Sequence, residues 1–357
     1  MTAAADTAFA SDRTAHRRQI GRWLLVCSAA IFVMVVIGGI TRLTESGLSM
    51  VEWRAFLDAV PPMSDAAWQR LFDLYRQTPE FQHKNFWMTL SDFQTIFWWE
   101  YIHRLWGRGL GLLFLIPFVW FLMKGRIERP LLPALLLMFI LGAVQGGIGW
   151  WMVKSGLVDR PDVSHYRLAV HLTVAFILHG VVLWTALDLI RGRLGPAVHP
   201  AARPVAPPLA GLSLALALWI LFVVVTGAFV AGTDAGRAYN SFPLMDGHLV
   251  PEAYGVLTPY WLNLLENTAA IQFNHRLVAT LTLLAALVLW WKLRRHADPA
   301  VRLPANLLAL AVAGQYLLGI MTLLAHVPVS LGAAHQGGAF LLFTAALWTA
   351  HAVRRSG

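Results

Sequence analysis

Eight apolar stretches, at about 23–41, 101–123, 131–152, 167–190, 209–231, 271–291, 305–325 and 332–352, are each long enough to cross a bilayer as a helix, since roughly 20 residues span about 30 Å of hydrocarbon. Lipid offers the backbone no hydrogen-bond partner, so runs of this length select helices that satisfy their own amides. The composition agrees, with 57% hydrophobic and only 13% charged residues, and it excludes an ordinary soluble domain. The net charge of +9 could suit a nucleic-acid binder. Its basic residues sit in short loops between the apolar runs and form no basic domain, so no nucleic-acid partner is expected.

Those loops set the orientation. Arg13, Arg17, Arg18 and Arg22 precede the first run, Lys124, Arg126 and Arg129 follow the second, and Arg191, Arg193 and Arg203 follow the fourth. Lys292, Arg294, Arg295 and Arg302 follow the sixth, and Arg354 and Arg355 follow the eighth. Every second loop is basic and is expected to be cytoplasmic. Both termini then lie inside, in a multi-pass protein of a bacterial inner membrane. The first run is too long for a signal-peptide core and reads as a retained anchor, with Arg17-Arg18 as topology charge. The one cysteine, Cys27, lies inside that run, so neither a disulfide nor a thiolate site can be built within the chain.

The chain repeats itself. "VIGGITRLTESGLS" at the end of the first run matches "VTGAFVAGTDAGRA" at the end of the fifth, pairing Gly38 with Gly227, Thr44 with Thr233, Glu45 with Asp234 and Gly47 with Gly236. "YIHRL" matches "FNHRL", pairing His103-Arg104 with His275-Arg276; Gln145 and Gly149 match Gln315 and Gly319, and His171 matches His335. The expected fold is therefore all-α, eight transmembrane helices arranged as two four-helix bundles. Each unit has an even number of spans, so the two share an orientation and are related by a pseudo-two-fold axis along the membrane normal. The expected divisions are a cytoplasmic tail (1–22), a first bundle (23–190), a Pro/Arg/Ala-rich cytoplasmic linker (191–208), a second bundle (209–352) and a short tail (353–357). In the long outer loop 42–99, Trp68, Leu71, Phe72 and Tyr75 fall at i, i+3, i+4 and i+7, which predicts an amphipathic helix lying on the membrane or over a site.

His103, His171, His275 and His335 each lie near the start of an even-numbered span, so all four are expected at the outer end of the hydrocarbon. Two imidazoles converging from different helices of one bundle form the ligand set of a six-coordinate haem. Arg104 and Arg276 follow ligands directly and are placed to neutralise propionates; snorkelling to headgroups is the bland alternative. Gly38, Gly39, Gly107, Gly109, Gly146, Gly147 and Gly149 permit close approach of helices or of a flat macrocycle. His179, without a repeat mate, reads as structural, and His165, His326 and His351 are weak candidates.

The halves differ in chemistry where Glu100 aligns with Gln272. Glu100 is three residues before His103, on the same helix face. A carboxylate there can move protons or stabilise developing positive charge; an amide cannot move protons. This makes the first half reactive and the second electron-transferring or structural, unless Glu100 merely pairs with Arg104 at i+4.

"FWWEYIHRLWGR", "QGGIGWWMVKSGL", "GTDAGRAYNSFPLMDG", "LLENTAAIQFNHR" and the final "HQ" resemble the motifs of the haem A synthase family, in the form shared by alphaproteobacteria and mitochondria. The resemblance covers all eight spans and both outer loops. It implies oxidation of the methyl group at position 8 of haem O to a formyl group, giving the haem A of cytochrome oxidase. It further implies that His275 and His335 hold a permanent haem b, that His103 and His171 frame the substrate haem O, and that Glu100 is the essential acid. Other branches carry a cysteine pair in the first outer loop. Loop 42–99 has none, so thiol–disulfide electron delivery through it is not expected. Expected partners are haem O, membrane lipid and an electron donor of unidentified class, with haem O synthase, cytochrome oxidase assembly factors and a second copy of the chain as further candidates. The competing readings are a di-haem cytochrome passing electrons from quinol and a parallel-repeat transporter with a His/Glu proton relay.

Overall fold

The computed structural model describes residues 2–52, 60–156, 163–191 and 207–356, so residues 192–206 of the expected linker lie outside the described residues. Nine α-helices are found among them: α1 (Thr2–Leu43), α2 (Asp65–Tyr75), α3 (Leu90–Met123), α4 (Leu132–Gly156), α5 (His165–Arg191), α6 (Pro207–Gly232), α7 (Thr268–Leu293), α8 (Pro299–Leu324) and α9 (Val329–Ser356). Seven of these, α1 and α3 to α8, are long and apolar enough to cross a membrane.

Helix ends follow local chemistry. Thr89 caps α3 in a reciprocal capping box with Asp92, Asn267 accepts from the amides of Ala269 and Ala270 at the start of α7, and Asp298 caps α8 just before Pro299. Each satisfies amides that a helix N-terminus otherwise leaves orphaned. Two elements run past their expected bounds. Helix α1 continues back through the residues expected as a tail, and α3 starts at Leu90 instead of near residue 101. Residues 90–100 include Ser91, Asp92, Gln94, Thr95 and Glu100, too polar to register as span. They are helical because the capping box starts the helix early and α2 covers it.

The expected amphipathic helix is α2. Phe72 and Tyr75 are buried against Phe93, Phe97 and Tyr101 of α3, with Trp68 and Leu71 packed alongside. It lies over the N-terminal turns of α3. In this layer Tyr75 Oη donates to Glu80 at 3.0 Å and accepts from Asn85 at 2.7 Å. Burial pushes the Glu80 carboxyl up to about 8 against the lowering effect of the Tyr75 hydrogen bond, and the Glu100 charge adds to the rise.

One continuous apolar core runs through the long helices, including Leu24 of α1, Phe121 of α3, Leu135 of α4, Phe176 of α5, Ile220 of α6, Leu289 of α7, Leu308 of α8 and Phe340 of α9. Large apolar side chains such as Ile116, Ile140, Leu218, Leu284 and Leu310 stay exposed on the perimeter, as a hydrocarbon solvent permits.

Helix α9, which contains the expected eighth span, is absent from the seven. It packs against α8, α6, α1 and α5, and its polar groups are satisfied by those neighbours instead of being replaced by apolar ones. Gln336 Nε2 donates to Val35 O at 2.7 Å, Thr344 meets His179 Nε2 at 2.9 Å, and His351 Nε2 lies 3.1 Å from Asp188. An interior helix faces protein on most sides and can carry such residues at little cost.

Candidate functional site

The repeat is visible in the backbone before it is visible in the side chains. Glu45 and Asp234, paired in the sequence, both take the left-handed conformation just after α1 and α6, with φ of 52° and 51°. Thr44 and Thr233 both return their hydroxyls to the carbonyl four residues back, at 2.8 and 2.7 Å.

All four expected ligand histidines stand at the same end of their helices, opposite the basic loops after α3 and α7, and each meets a glycine. A Cβ built on Gly38 of α1 would lie 3.0 Å from His103 Cε1, and one on Gly149 of α4 would lie 3.1 Å from His171 Cε1. In the second half Gly227 of α6 and Gly319 of α8 make the same cradle for His275 and His335, at 3.1 and 2.9 Å. Any larger residue would push the ring, so these four glycines admit the imidazoles themselves, a closer role than general helix packing.

A glutamine clasps the second histidine of each pair. Gln145 Nε2 donates to His171 O at 3.0 Å and lies 3.2 Å from its Nδ1; Gln315 repeats this on His335 at 2.9 and 3.1 Å. The first histidines are held differently. Thr226 has one hydroxyl proton, which it donates to Val223 O at 2.8 Å. It therefore accepts from His275 Nδ1, also at 2.8 Å, and the lone pair of that ring is left on Nε2. His103 Nδ1 is buried with no hydrogen-bond partner among the described residues, an arrangement that costs about 1–3 kcal/mol.

Glu100 is 3% exposed. Its Oε2 accepts from Ser49 Oγ at 2.7 Å and from the Met50 amide at 2.8 Å, while Arg104 donates to its Oε1 and to Met50 O. The i+4 ion pair considered from sequence does form, as part of a clamp on the loop after α1. Gln272 and Arg276 clamp the loop after α6 in the same way. Gln272 Nε2 donates to Ala235 O and Tyr239 O at 2.8 and 3.1 Å, and Arg276 donates to Ser241 O, Tyr239 O and Gln272 Oε1 at 2.9, 2.9 and 3.1 Å. The two clamps thus occupy matching places, but Glu100 accepts from its loop where Gln272 donates to its own, and they differ by one negative charge. Ser49 and Thr226 were not anticipated from sequence. Thr226 aligns with Ile37, but Thr41 against Val230 and Arg42 against Ala231 are exchanges of the same kind in that segment, so sequence alone did not single it out.

Two further histidines have local neighbours. His179 bridges Ser28 at 3.1 Å and Thr344 at 2.9 Å, a structural link between α1, α5 and α9. His165 packs on Gly232 and lies 3.7 Å from Glu266.

The donor set suits a tetrapyrrole with two axial imidazoles. Each half has one His pair set in glycine cradles, and Arg276 Nε, beside His275, is a buried donor with no hydrogen-bond partner. Among the described residues no cluster of three His, Cys, Asp or Glu forms, so the histidines stand as pairs.

The family model COX15-CtaA, described as cytochrome oxidase assembly protein, matches residues 21–347. The chain is 48% identical over 345 residues to the heme A synthase of Nitrosospira multiformis, covering 96% of each chain. It is 49% identical over 338 residues to the heme A synthase of Rhodospirillum centenum, covering 94% of this chain and 89% of that one. With the heme A synthase COX15 of Arabidopsis thaliana it shares 46% identity over 346 residues, or 95% of this chain and 75% of that one.

Proposed function

The chain belongs to the COX15-CtaA family of cytochrome oxidase assembly proteins, and from that membership we infer that it is a haem A synthase, an oxidoreductase that converts the C8 methyl group of haem O to a formyl group. The di-haem cytochrome and the transporter are not favoured by its relatives.

We propose that α1, α3, α4 and α5 form one four-helix bundle, that α6 to α9 form the other with α9 as the eighth span, and that a pseudo-two-fold axis along the membrane normal relates them. The packing supports this, since α1 meets α3 and α5 as α6 meets α7 and α9, and α1–α9 mirrors α6–α5. The termini are assigned to the cytoplasm of a bacterial cell with the four histidines toward the periplasm. Cysteines placed in loops 42–99 and 232–268 should then react with an impermeant reagent in intact cells, and labelling of loops 124–130 and 292–302 instead would reverse the assignment.

In this reading His275 and His335 ligate a resident haem b, which supplies a one-electron redox centre when bound. His103 and His171 frame haem O. Arg104 and Arg276 face the propionate edges, Arg276 through its buried Nε. Taking a methyl carbon to a formyl carbon adds one oxygen atom and passes four electrons to an external acceptor, so C–H bonds break and protons must be handled beside that carbon. Glu100, one turn before His103, stabilises the positive charge that develops and handles those protons. The observation that carries the assignment of roles is the Glu100/Gln272 difference within two otherwise matching clamps. Haem O synthase, an electron donor, assembly factors and a second copy of the chain are proposed partners.

Chromatography of haems extracted from the purified protein tests the function. Haem b together with haem O or haem A is expected; haem b alone, with no conversion of added haem O under reducing and oxidising conditions, would favour the cytochrome reading.

A further inference from the structure

The two halves also differ in how firmly they hold what they bind. Thr226 fixes His275 through the Nδ1 hydrogen bond, whereas Ile37 stands at the matching position and His103 Nδ1 has no hydrogen-bond partner. A second difference lies one helix pair away. Thr280 of α7 donates its proton to Arg276 O at 2.8 Å, so Tyr316 of α8 donates to Thr280 Oγ1 at 3.0 Å and ties the two helices together. Phe242 of the outer loop packs edge-on against the same ring, with centroids 6.4 Å apart.

In the first half Arg108 takes the place of Thr280 and Gly146 that of Tyr316. A Cβ at Gly146, or at Gly142 one turn earlier, would meet nothing within 4 Å. The second half has Val312 at the position matching Gly142. Helices α7 and α8 pack closely, while α3 and α4 make little contact.

We propose that Thr226 and Tyr316 latch the second half around a resident tetrapyrrole, and that Ile37 and Gly146 leave the first half exchangeable, its tetrapyrrole entering and leaving sideways between α3 and α4. The inference rests on the assignment of haem O to the first half. It answers a need of the reaction, because a substrate site must release its product every turnover and a cofactor site must not. A lateral seam open to lipid also suits haem O, whose long isoprenoid tail is more soluble in hydrocarbon than in water. The histidine contact acts through the ligand. A hydrogen bond to the far ring nitrogen holds the imidazole in one orientation and raises its basicity, and losing such a partner commonly weakens metal binding about 10–100-fold.

The test follows haem transfer from the full-length purified protein to excess apomyoglobin. Thr226→Val with Tyr316→Phe removes both latch hydrogen bonds with little change in shape, and haem b should leave at least about 10-fold faster. Thr226→Ser, which restores the acceptor, should return the rate toward that of the parent. Ile37→Thr with Arg108→Thr and Gly146→Tyr installs both hydrogen bonds of the latch in the first half and should slow haem O loss by about 10-fold or more. Either rate staying within about twofold of the parent, a change well short of the 10-fold expected from a lost ligand partner, overturns the proposal. His103→Ala separates this outcome from failure of the underlying assignment. Haem O content unaffected by His103→Ala would mean that haem O is not held there at all, whereas its loss alongside unchanged transfer rates would reject the latch alone.

Discussion

Glu100→Gln is expected to lower haem A formation by at least about 10²-fold, the lower end of what a positioned acid or base contributes, while haem b remains bound at wild-type stoichiometry. Removing one partner of a buried ion pair usually destabilises a protein strongly, which would confuse the result at most positions. Here the second half shows what glutamine does in the same clamp. Gln272 keeps Arg276 at 3.1 Å and binds loop carbonyls of residues 235 and 239 through its amide nitrogen. Glutamine at 100 keeps the side-chain volume and an oxygen that accepts from Arg104, and it removes the charge, the capacity to take a proton and the acceptor that Oε2 offers to Ser49 and the Met50 amide. Accumulation of haem O, or of a hydroxymethyl form, identifies the oxidation step that needs the carboxylate. Full activity with normal folding and haem content would leave Glu100 as a clamp residue only.

The fold was largely legible because lipid imposes strong rules. Apolar runs near 20 residues, basic loops and a duplicated pattern of glycine, histidine and glutamine located the helices and paired the halves. Helix α9 was read from its apolar run and its repeat mates, yet it is not among the seven helices apolar enough to cross a membrane, since it carries Gln336, Thr344 and His351, which are bonded to neighbouring helices. The first turns of α3 were missed because they are helical but too polar to register as span. Their stability comes from the Thr89–Asp92 capping box and from cover by α2, a tertiary contact with only half its pattern visible in each segment.

At the site, the histidines and Glu100 stood out because ionisable residues are costly in a membrane and here they recur in register. Their supports did not stand out. Ser49 reaches Glu100 across 51 positions of sequence, and Thr226 reaches His275 across 49; a hydroxyl in a span is common and usually bonds its own helix. The glycines were visible, but their partners were not. That Gly38 and Gly227 make room for imidazole rings depends on how α1 meets α3 and how α6 meets α7.

The second large effect is the division of labour between the histidine pairs. His275→Ala or His335→Ala should reduce bound haem b to below about a tenth of one per chain, since outer partners alone carry 10–100-fold of metal affinity and a direct ligand carries more. The low-spin spectrum of a bis-imidazole iron should disappear with it. His103→Ala or His171→Ala should leave that haem b in place and abolish recovery of haem O and haem A with the protein. Both pairs rest in glycine cradles of the same geometry, so a general packing defect would affect them alike, and only distinct occupants would separate them. The deciding measurement is chromatography of the haems extracted from these four variants beside the parent protein. Selective loss of haem b from the second-half variants, with selective loss of haem O and haem A from the first-half variants, is the predicted result; loss of the same haem from both pairs, or undiminished low-spin haem b in His275→Ala and His335→Ala, would contradict it.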